Sequence, residues 1–252
     1  MFINNFDPVA FNILSLEIRW YSLSYIFGIS LGWLYCKRKL INEDKYKNLF
    51  DDYIFYLVLG IIIGGRIGYI LFYNLEYYLN NFSEIFQIWK GGMSFHGALL
   101  GIIFTVIIFS KKHKINEFIF LDLIAVSAPI GIFFGRVANF INGELVGKTT
   151  DVYWGVVFPN IDNFTRHPSQ LYEAILEGIV LFILLNWMYF RPNYKTGLCS
   201  FMFLIFYGVF RILSEFFREP DIQIGYLIGS VSMGMLLSIF MIIAGLILYL
   251  KK

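Results

Sequence analysis

The feature that most constrains this chain is a series of seven apolar runs, each of about the 17–25 residues that an α-helix needs to cross a bilayer. Hydrophobic residues fill 58% of the 252 positions and charged residues only 15%. One soluble core cannot bury that apolar excess, so part of the surface must face lipid. The pattern predicts an all-α integral membrane protein, in which residues 1–252 form a single polytopic transmembrane domain. The predicted spans are 18–36, 51–73, 93–110, 117–134, 171–190, 197–217 and 228–250.

The basic residues predict the orientation of these spans. Twelve Lys and Arg residues lie in one alternating set of connecting segments, and five lie in the other set. Because cytoplasmic loops carry the excess of Lys and Arg, the basic set is predicted to be cytoplasmic, the N-terminus outside and the C-terminus inside. The basic set comprises 37–50, 111–116, 191–196 and 251–252, and the other set comprises 1–17, 74–92, 135–170 and 218–227.

Composition also excludes several classes of protein. A net charge of +2 provides no basic surface for nucleic acid. Two cysteines, Cys36 and Cys199, cannot build a disulfide framework, and the three histidines lack metal-ligand spacing. Residues 1–17 contain no Lys or Arg, so they lack the basic region of a cleaved signal peptide, and the first span is expected to remain in the mature protein. No metal or other cofactor is expected.

A first polar cluster closes the sixth predicted span. Tyr207, Arg211, Glu215 and Arg218 fall within an arc of roughly 80° on a helix, while most other positions there are apolar. One interpretation is an intramembrane ion pair between Arg211 and Glu215, four residues apart, that only stabilises packing. A cavity that binds an anion explains the whole stripe better, because a structural pair has no need of the flanking phenol and second guanidinium.

A second cluster, 135–147, is expected where the fourth span meets the outer face. Arg136 can bind a phosphate through two N–H groups, while Asn139 and Asn142 can hydrogen-bond ester or glycerol oxygens. Glu144 can accept a hydrogen bond from an arginine or from a ligand hydroxyl. The alternative is a polar loop that merely caps the span.

A third cluster, 91–97, enters the third span from the same predicted side. It places His96 between glycines that leave room for a ligand, although a single histidine at a helix start is more often structural. Together the three clusters predict an outward-facing polar cavity that holds an anion and is accessible to lipid. Further polar candidates within or near apolar spans are Arg66, Asp122, Glu173 and Glu177. Glycines recurring four residues apart, such as Gly60, Gly64 and Gly68, are interpreted mainly as close helix contacts.

At these residues the sequence resembles the prolipoprotein diacylglyceryl transferase family. The run GRVANFINGELVG at 135–147 resembles the family signature at every defined position. The resemblance extends over essentially the whole chain, although the outer segment between Gly147 and Arg166 is short where some family members carry longer insertions. Other matching runs are FDPVAF at 6–11, RWYSLSY at 19–25, GGRIGYILFYN at 64–74, GGMSFHG at 91–97, RHPSQLYE at 166–173 and YGVFRILSEFFREPD at 207–221.

The resemblance implies an enzyme of the bacterial cytoplasmic (inner) membrane with its active site toward the outer face. Its partners would be phosphatidylglycerol, membrane lipid and a prolipoprotein signal peptide, and no nucleic acid. The sn-1,2-diacylglyceryl group of the lipid would move to the lipobox cysteine thiol, forming a thioether and releasing glycerol phosphate. The residues carried over as functional are Tyr21, His96, Arg136, Asn139, Glu144, Gly147, Tyr207, Arg211 and Glu215.

The chemistry of this reaction fits the polar clusters. Two arginines can neutralise the leaving phosphate without a metal. The thiol must be deprotonated, and His96, Glu144 or the field of the arginines remain alternatives for that task. Cys36 and Cys199 need no role, because the attacking cysteine belongs to the substrate. The competing hypotheses are a lipid transporter or flippase and a metal-dependent phosphatidyl transferase. No internal repeat supports the first, and no carboxylate-rich magnesium site supports the second.

Overall fold

The computed structural model describes residues 2–13, 16–88, 91–220 and 225–251, and the described chain is mostly helical. Six of its helical segments are long and apolar enough to cross a membrane, in agreement with a helical membrane protein. They correspond to the second to seventh predicted spans. These segments are α2 (Asp44–Tyr73), α4 (Phe95–His113), α5 (Glu117–Asn142), the continuous helical segment Ser169–Tyr189, α8 (Leu198–Glu215) and α9 (Met233–Leu250).

The first predicted span, 18–36, corresponds to a shorter helix. Helix α1 covers Trp20–Tyr35, which is 16 residues, and continues as a π-helix over Cys36–Leu40 that contains three basic residues. At a rise of about 1.5 Å per residue, α1 alone is shorter than the hydrocarbon core of about 30 Å. The count of seven spans and the orientation of the termini therefore stay predictions.

The chain divides into two compact units, one formed by residues 37–123 and the other by 1–36 with 124–252. In the first unit, α2 packs against α4 through facing glycines. A Cβ atom built on Gly68 would lie 2.5 Å from the Cα of Gly97, and one on Gly64 would lie 2.8 Å from the Cα of Gly101. No side chain fits at such distances, so these glycines bring two helix backbones into contact. The packing interpretation of the repeated glycines is confirmed here.

Arg66 organises the connection between α2 and α4, which contains α3 (Leu75–Asn80) and a 3₁₀ turn (Phe82–Phe86). Its buried guanidinium donates hydrogen bonds to five backbone carbonyls, of which the Gly91 oxygen lies at 2.5 Å and the Glu84 oxygen at 2.6 Å. The other three acceptors are carbonyl oxygens of Ile85, Gln87 and Gly92. Arg66 therefore fixes the conformation of the segment that connects α2 and α4.

The second unit contains α1, most of α5, and α6 to α9. Helix α6 (Ser169–Glu173) passes into a π-helix (Ala174–Val180) and then into α7 (Leu181–Tyr189). Helices α8 and α9 pack through two more glycines. A Cβ on Gly208 would lie 2.7 Å from Ile242 Cγ1, and one on Gly245 would lie 2.9 Å from the Phe201 carbonyl oxygen.

Short strands add to the predicted all-helical architecture. In one three-stranded sheet β1 (Phe2–Ile3) pairs in parallel with β4 (Val156–Val157), which pairs antiparallel with β5 (Thr165–Arg166). Two antiparallel pairs complete the set: β2 (Val9–Ile13) with β3 (Leu16–Arg19), and β6 (Tyr226–Ile228) with β7 (Val231–Ser232). These strands have two to five residues, too few for a clear alternating pattern in the sequence.

Helix α5 continues eight residues beyond the predicted end of the fourth span. It contains Pro129 and runs to Asn142, after which Gly143 adopts a positive φ of 66° and the helix stops. Arg136 and Asn139 therefore lie in the last two turns of a regular helix. The interpretation of 135–147 as a loop is wrong for 135–142, and residues 143–147 follow the helix as a loop. The polar residues suggested an exit from the membrane, whereas Arg136 and Asn139 belong to the helix itself.

Candidate active site

Six charged side chains from α5, the α6–π segment and the end of α8 meet in the interior of the second unit. Helix α8 presents charges four residues apart, and the α6–π segment does the same, so each contributes one charged face. All six side chains are largely buried, with at most 14% exposure. We call this set the charge cluster, and its members are Arg136, Glu173, Glu177, Arg211, Glu215 and Arg218.

Arg136 pairs with two glutamates. Its Nε and Nη2 atoms donate to Glu177 Oε2 at 3.2 and 3.0 Å, and its Nη1 atom lies 2.9 Å from Glu173 Oε2. Both glutamate side chains are completely buried. The guanidinium fork is therefore fixed in orientation, because its N–H groups point in set directions.

Arg211 also contacts more than one carboxylate. Its Nη1 atom donates to Glu173 Oε1 at 2.5 Å and lies 3.9 Å from Glu177 Oε1. Its Nη2 atom lies 2.7 Å from Glu215 Oε2, which is the ion pair between residues four apart that the stripe on α8 predicted. The Ser232 hydroxyl donates to the other oxygen of Glu215 at 2.8 Å.

The charges of this cluster balance. Three guanidinium groups face three carboxylates, and Arg218 Nη1 lies 3.8 Å from Glu173 Oε1. Balance matters because an uncompensated charge in a low-dielectric interior is expensive. Each guanidinium has five N–H donors, and the contacts given above for Arg136 and Arg211 use only part of them. Donors not used in the described contacts are the groups with which these arginines could bind a further acceptor.

Asn139, Asn142 and Glu144 form a second polar group beside the end of α5. The amide nitrogens of Asn139 and Asn142 donate to Glu144 Oε1 at 2.9 and 3.2 Å. The Glu144 carbonyl accepts a hydrogen bond from Gln170 at 2.7 Å. Sequence reasoning suggested an arginine or a ligand hydroxyl as the donor to Glu144, whereas the described contacts are with the two asparagines.

Gly147 lies against the backbone at His167 and at Phe217. Its N–H donates to the His167 carbonyl at 3.1 Å, and its own carbonyl accepts from Arg166 at 2.9 Å. A Cβ atom there would lie 2.7 Å from His167 Cβ and 2.8 Å from the Phe217 carbonyl oxygen. A side chain at this position would displace backbone, so the need for glycine is steric.

The Arg166 side chain connects Gly147 to the loop that contains Asp162. It donates three hydrogen bonds to the Asp162 carboxylate, at 3.2, 3.1 and 2.5 Å, and another to Glu219 at 3.4 Å. The hydrogen bonds from Arg166 hold the pKa of Asp162 below its ordinary value. Partial burial lowers the pKa of the neighbouring His167.

The two predicted tyrosines have different surroundings. Tyr207 is buried, precedes Arg211 by one turn of α8 and stacks on Phe203 with ring centroids 5.6 Å apart. Tyr21 lies in the first turn of α1, where its hydroxyl is 3.2 Å from that of Tyr25. The structure therefore brings Tyr207 next to the charge cluster, and it gives Tyr21 a partner on its own helix.

His96 belongs to the unit of residues 37–123, so its distance to the charge cluster stays a prediction. It occupies the first turn of α4 and is 8% exposed. Ser94 caps this helix by accepting a hydrogen bond from Gly97, and its own N–H donates to the Gly65 carbonyl at 2.9 Å. These contacts fix the start of the helix that carries His96.

Glu173 and Glu177 are the residues that sequence reasoning left outside the functional set, although both were noted as polar candidates. Each is completely buried and contacts at least one arginine of the charge cluster. Their signal in the sequence is two carboxylates four residues apart within an apolar run. Asp122, another candidate, is buried in α5 within the first unit.

An open apolar pocket of about 680 Å³ lies in the same unit as the charge cluster. Its walls include Tyr172, Leu176, Leu213 and Phe217. Two of these residues are sequence neighbours of charged ones, since Tyr172 precedes Glu173 and Phe217 precedes Arg218. The volume lies within the range of roughly 300–1,000 Å³ that is usual for ligand pockets.

Comparison with known proteins gives a consistent result. Residues 8–251 match the model of the family described as prolipoprotein diacylglyceryl transferase. Among the relatives, the phosphatidylglycerol–prolipoprotein diacylglyceryl transferase of Ehrlichia canis (strain Jake) is 53% identical, over 95% of this chain and 93% of its own length. The proteins of the same name from Rickettsia bellii (strain OSU 85-389) and Ehrlichia ruminantium (strain Welgevonden) are 48% and 49% identical, over 98% and 96% of this chain and 95% of their own lengths.

Proposed function

The chain belongs to the prolipoprotein diacylglyceryl transferase family, and on that premise we propose that it transfers the diacylglyceryl group of phosphatidylglycerol to the cysteine thiol of a prolipoprotein. The observation that carries this proposal is the family match over residues 8–251, which includes every residue of the charge cluster. The family resemblance inferred from the sequence is thereby confirmed.

The reaction is a substitution at carbon. The thiolate sulfur of the lipobox cysteine attacks the terminal glycerol carbon of the diacylglyceryl group, and a carbon–sulfur bond forms. The bond from that carbon to the phosphate oxygen breaks, and its electron pair stays on the oxygen of the departing glycerol phosphate. Negative charge therefore grows on the phosphate, where guanidinium donors stabilise it most.

Arg136 and Arg211 are the proposed phosphate ligands. Both guanidinium groups contact Glu173, so they lie close enough to act on one small anion. The remaining members of the proposed binding set surround them in sequence, with Tyr207 and Glu215 one turn before and after Arg211 on α8. Asn139 and Gly147 complete the proposed binding set. Besides the two arginines, the proposed catalytic residues are Tyr21, His96 and Glu144.

The open apolar pocket of the same unit suits the acyl chains of the donor lipid. Tyr172, Leu213 and Phe217 provide hydrocarbon and aromatic walls, and little of the lining is polar. A lipid with its anionic head group at the arginines and its acyl chains in this pocket would place charge against charge and hydrocarbon against hydrocarbon.

The thiol proton requires an acceptor, and His96 is the first candidate. Imidazole is the side chain most often used for proton transfer near neutral pH. Glu144 and the positive field of the arginines are the alternatives, and they differ from His96 in the pH dependence that they predict.

We place the enzyme in the bacterial cytoplasmic membrane as a single polytopic domain. The proposed topology has seven spans, with the N-terminus outside, the C-terminus in the cytoplasm and the site toward the outer face. The distribution of Lys and Arg supports this orientation. The first span would comprise 18–36, most of it helix α1, and the basic residues of the π-helix Cys36–Leu40 would lie at its cytoplasmic end.

The decisive experiment uses purified protein in detergent micelles with phosphatidylglycerol and a synthetic lipobox peptide. We expect a mobility shift of the peptide and release of glycerol phosphate. A peptide with serine in place of cysteine is the matched control and should not shift. Phosphatidylethanolamine should be a poor donor, because its head group lacks a net negative charge. Absence of the shift with phosphatidylglycerol would refute the proposed function.

A further inference from the structure

Glu173 contacts all three arginines of the charge cluster, and the proposed reaction assigns it no role. Its side chain is completely buried at the end of α6. Oε2 lies 2.9 Å from Arg136 Nη1, and Oε1 accepts from Arg211 Nη1 at 2.5 Å. A single carboxylate thus connects the two proposed phosphate ligands, which come from two different helices.

Two guanidinium groups do not lie close together in an apolar interior unless an anion lies between them. Their charges repel, and each side chain has many rotamers. A carboxylate between them removes the repulsion and selects one orientation for each fork. The N–H groups of both arginines that are not used in contacts among the described residues then have defined directions before any lipid arrives. Such preorganisation is what raises the rate of a reaction in which charge develops on a phosphate.

The local fold supports this placement of Glu173. The helix widens into a π-helix at Ala174–Val180, a rare form that occurs frequently at functional sites. Gly178 within it packs against α5, where an added Cβ would lie 2.8 Å from Phe133 Cβ. This close contact fixes the segment against the helix that carries Arg136. Glu177 then binds the opposite side of the same guanidinium.

We propose that Glu173 is a positioning residue for the transfer reaction: it bridges Arg136 and Arg211 and holds their guanidinium groups at the spacing and orientation that one phosphate requires. The proposal rests on the proposed function. It differs from a role in stability alone, because a carboxylate that merely balanced charge could be removed together with one of the positive charges around it. Arg218, 3.8 Å from Glu173, is the third such charge.

The experiment compares Glu173→Gln, Arg218→Gln and the double variant with wild type. Rates are measured with phosphatidylglycerol in mixed micelles and a lipobox peptide, and Tm is measured in the same detergent. The single Glu173→Gln variant leaves an excess positive charge, so both Tm and kcat should fall. In the double variant the charges balance again, so Tm should recover. Its kcat should stay about 100-fold below that of Arg218→Gln, because a misplacement of about 1 Å costs roughly that factor, while KM for the lipid should change little.

Two further variants keep the test decisive. Glu173→Asp retains the charge and shortens the side chain, so we expect a Tm near wild type with reduced kcat even if the glutamine variants fail to fold. Glu17→Gln is the matched control, since Glu17 is exposed and pairs only with Arg19 in the described part of the chain. A double variant with the kcat of Arg218→Gln, or an aspartate variant with wild-type kcat, would overturn the proposal. Inactivity of the wild type in this assay would instead refute the proposed function.

Discussion

Replacement of Arg211 separates the role of its charge from the role of its shape. Arg211 is 5% exposed and contacts Glu173, Glu215 and Glu177. Arg211→Ala removes the positive partner of these carboxylates and leaves an excess negative charge in the interior. Breaking a buried ion pair by removal of one partner costs about 3–5 kcal/mol. We therefore expect the alanine variant to be clearly destabilised as well as inactive.

Arg211→Lys is the more informative variant. A lysine keeps the charge, but its ammonium cannot reproduce the two separate contacts of Nη1 with Glu173 and of Nη2 with Glu215, at 2.5 and 2.7 Å. We expect a loss of roughly 1.5–3 kcal/mol of stability from the weakened charged hydrogen bonds. Loss of one oriented donor to developing charge costs about 10²–10³ in kcat. The lysine variant should thus fold and remain nearly inactive.

The assay combines two measurements on protein purified in the same detergent. Thermal unfolding gives the change in stability, and initial rates of peptide modification give kcat and KM for phosphatidylglycerol. Arg19→Lys is the matched control, because Arg19 is 61% exposed and pairs with the exposed Glu17. It should behave as wild type in both measurements. A lysine variant at position 211 with wild-type kcat would show that the guanidinium fork has no function in the reaction.

Three further predictions concern packing, pH dependence and the base. Gly64→Ala would place a Cβ 2.5 Å from a backbone oxygen of α4, so we expect a loss of about 1–3 kcal/mol in thermal unfolding. Gly135→Ala, whose Cβ would meet nothing within 4 Å, is the control and should not lower Tm. The lowered pKa of Asp162 means that its contribution to stability is present above the ordinary carboxyl pKa near 3.9 and is lost as pH falls through the folded value. Asp162→Asn should therefore lack that acid-dependent component of unfolding, and an identical pH profile would contradict the pairing. His96→Gln should recover activity toward pH 9.5 if His96 is the base, whereas a constant ratio to wild type would remove it from that role.

The membrane helices were predictable from sequence because each is a long run of residues that must be apolar to lie in lipid. Lipid solvates apolar side chains at any rotation of the helix, so hydropathy alone locates the segments. The ends were less predictable. Helix α5 was expected to stop near residue 134, since polar residues at 136 and 139 resemble the start of an aqueous loop. They instead remain helical: buried carboxylates on the α6–π segment pair with Arg136, and Glu144, which follows the helix, accepts a hydrogen bond from Asn139.

The candidate site was predictable in its residue types and not in its pairings. The stripe on α8 correctly predicted the contact of Arg211 with Glu215, because residues four apart on one helix must be neighbours. The contacts of Arg136 with Glu173 and Glu177 join segments about 40 residues apart in sequence, and nothing local specifies them. Arg66 shows the same limit, since its acceptors are backbone carbonyls that carry no sequence signature.

The charge cluster also links the chemistry of the site to the assembly of the helices. An arginine within a membrane span costs free energy, up to about 2.5–3.5 kcal/mol at the centre of the span on insertion scales. In the described structure Arg136 finds its carboxylates on the α6–π segment rather than on α5. Helix α5 therefore gains its favourable electrostatic partners only when it docks against that segment. Arg211 has one partner, Glu215, on its own helix, but its second ion pair requires Glu173 from the α6–π segment. The same carboxylates that orient the arginines thus make the docked arrangement of α5, α6 and α8 the one in which their charges are compensated.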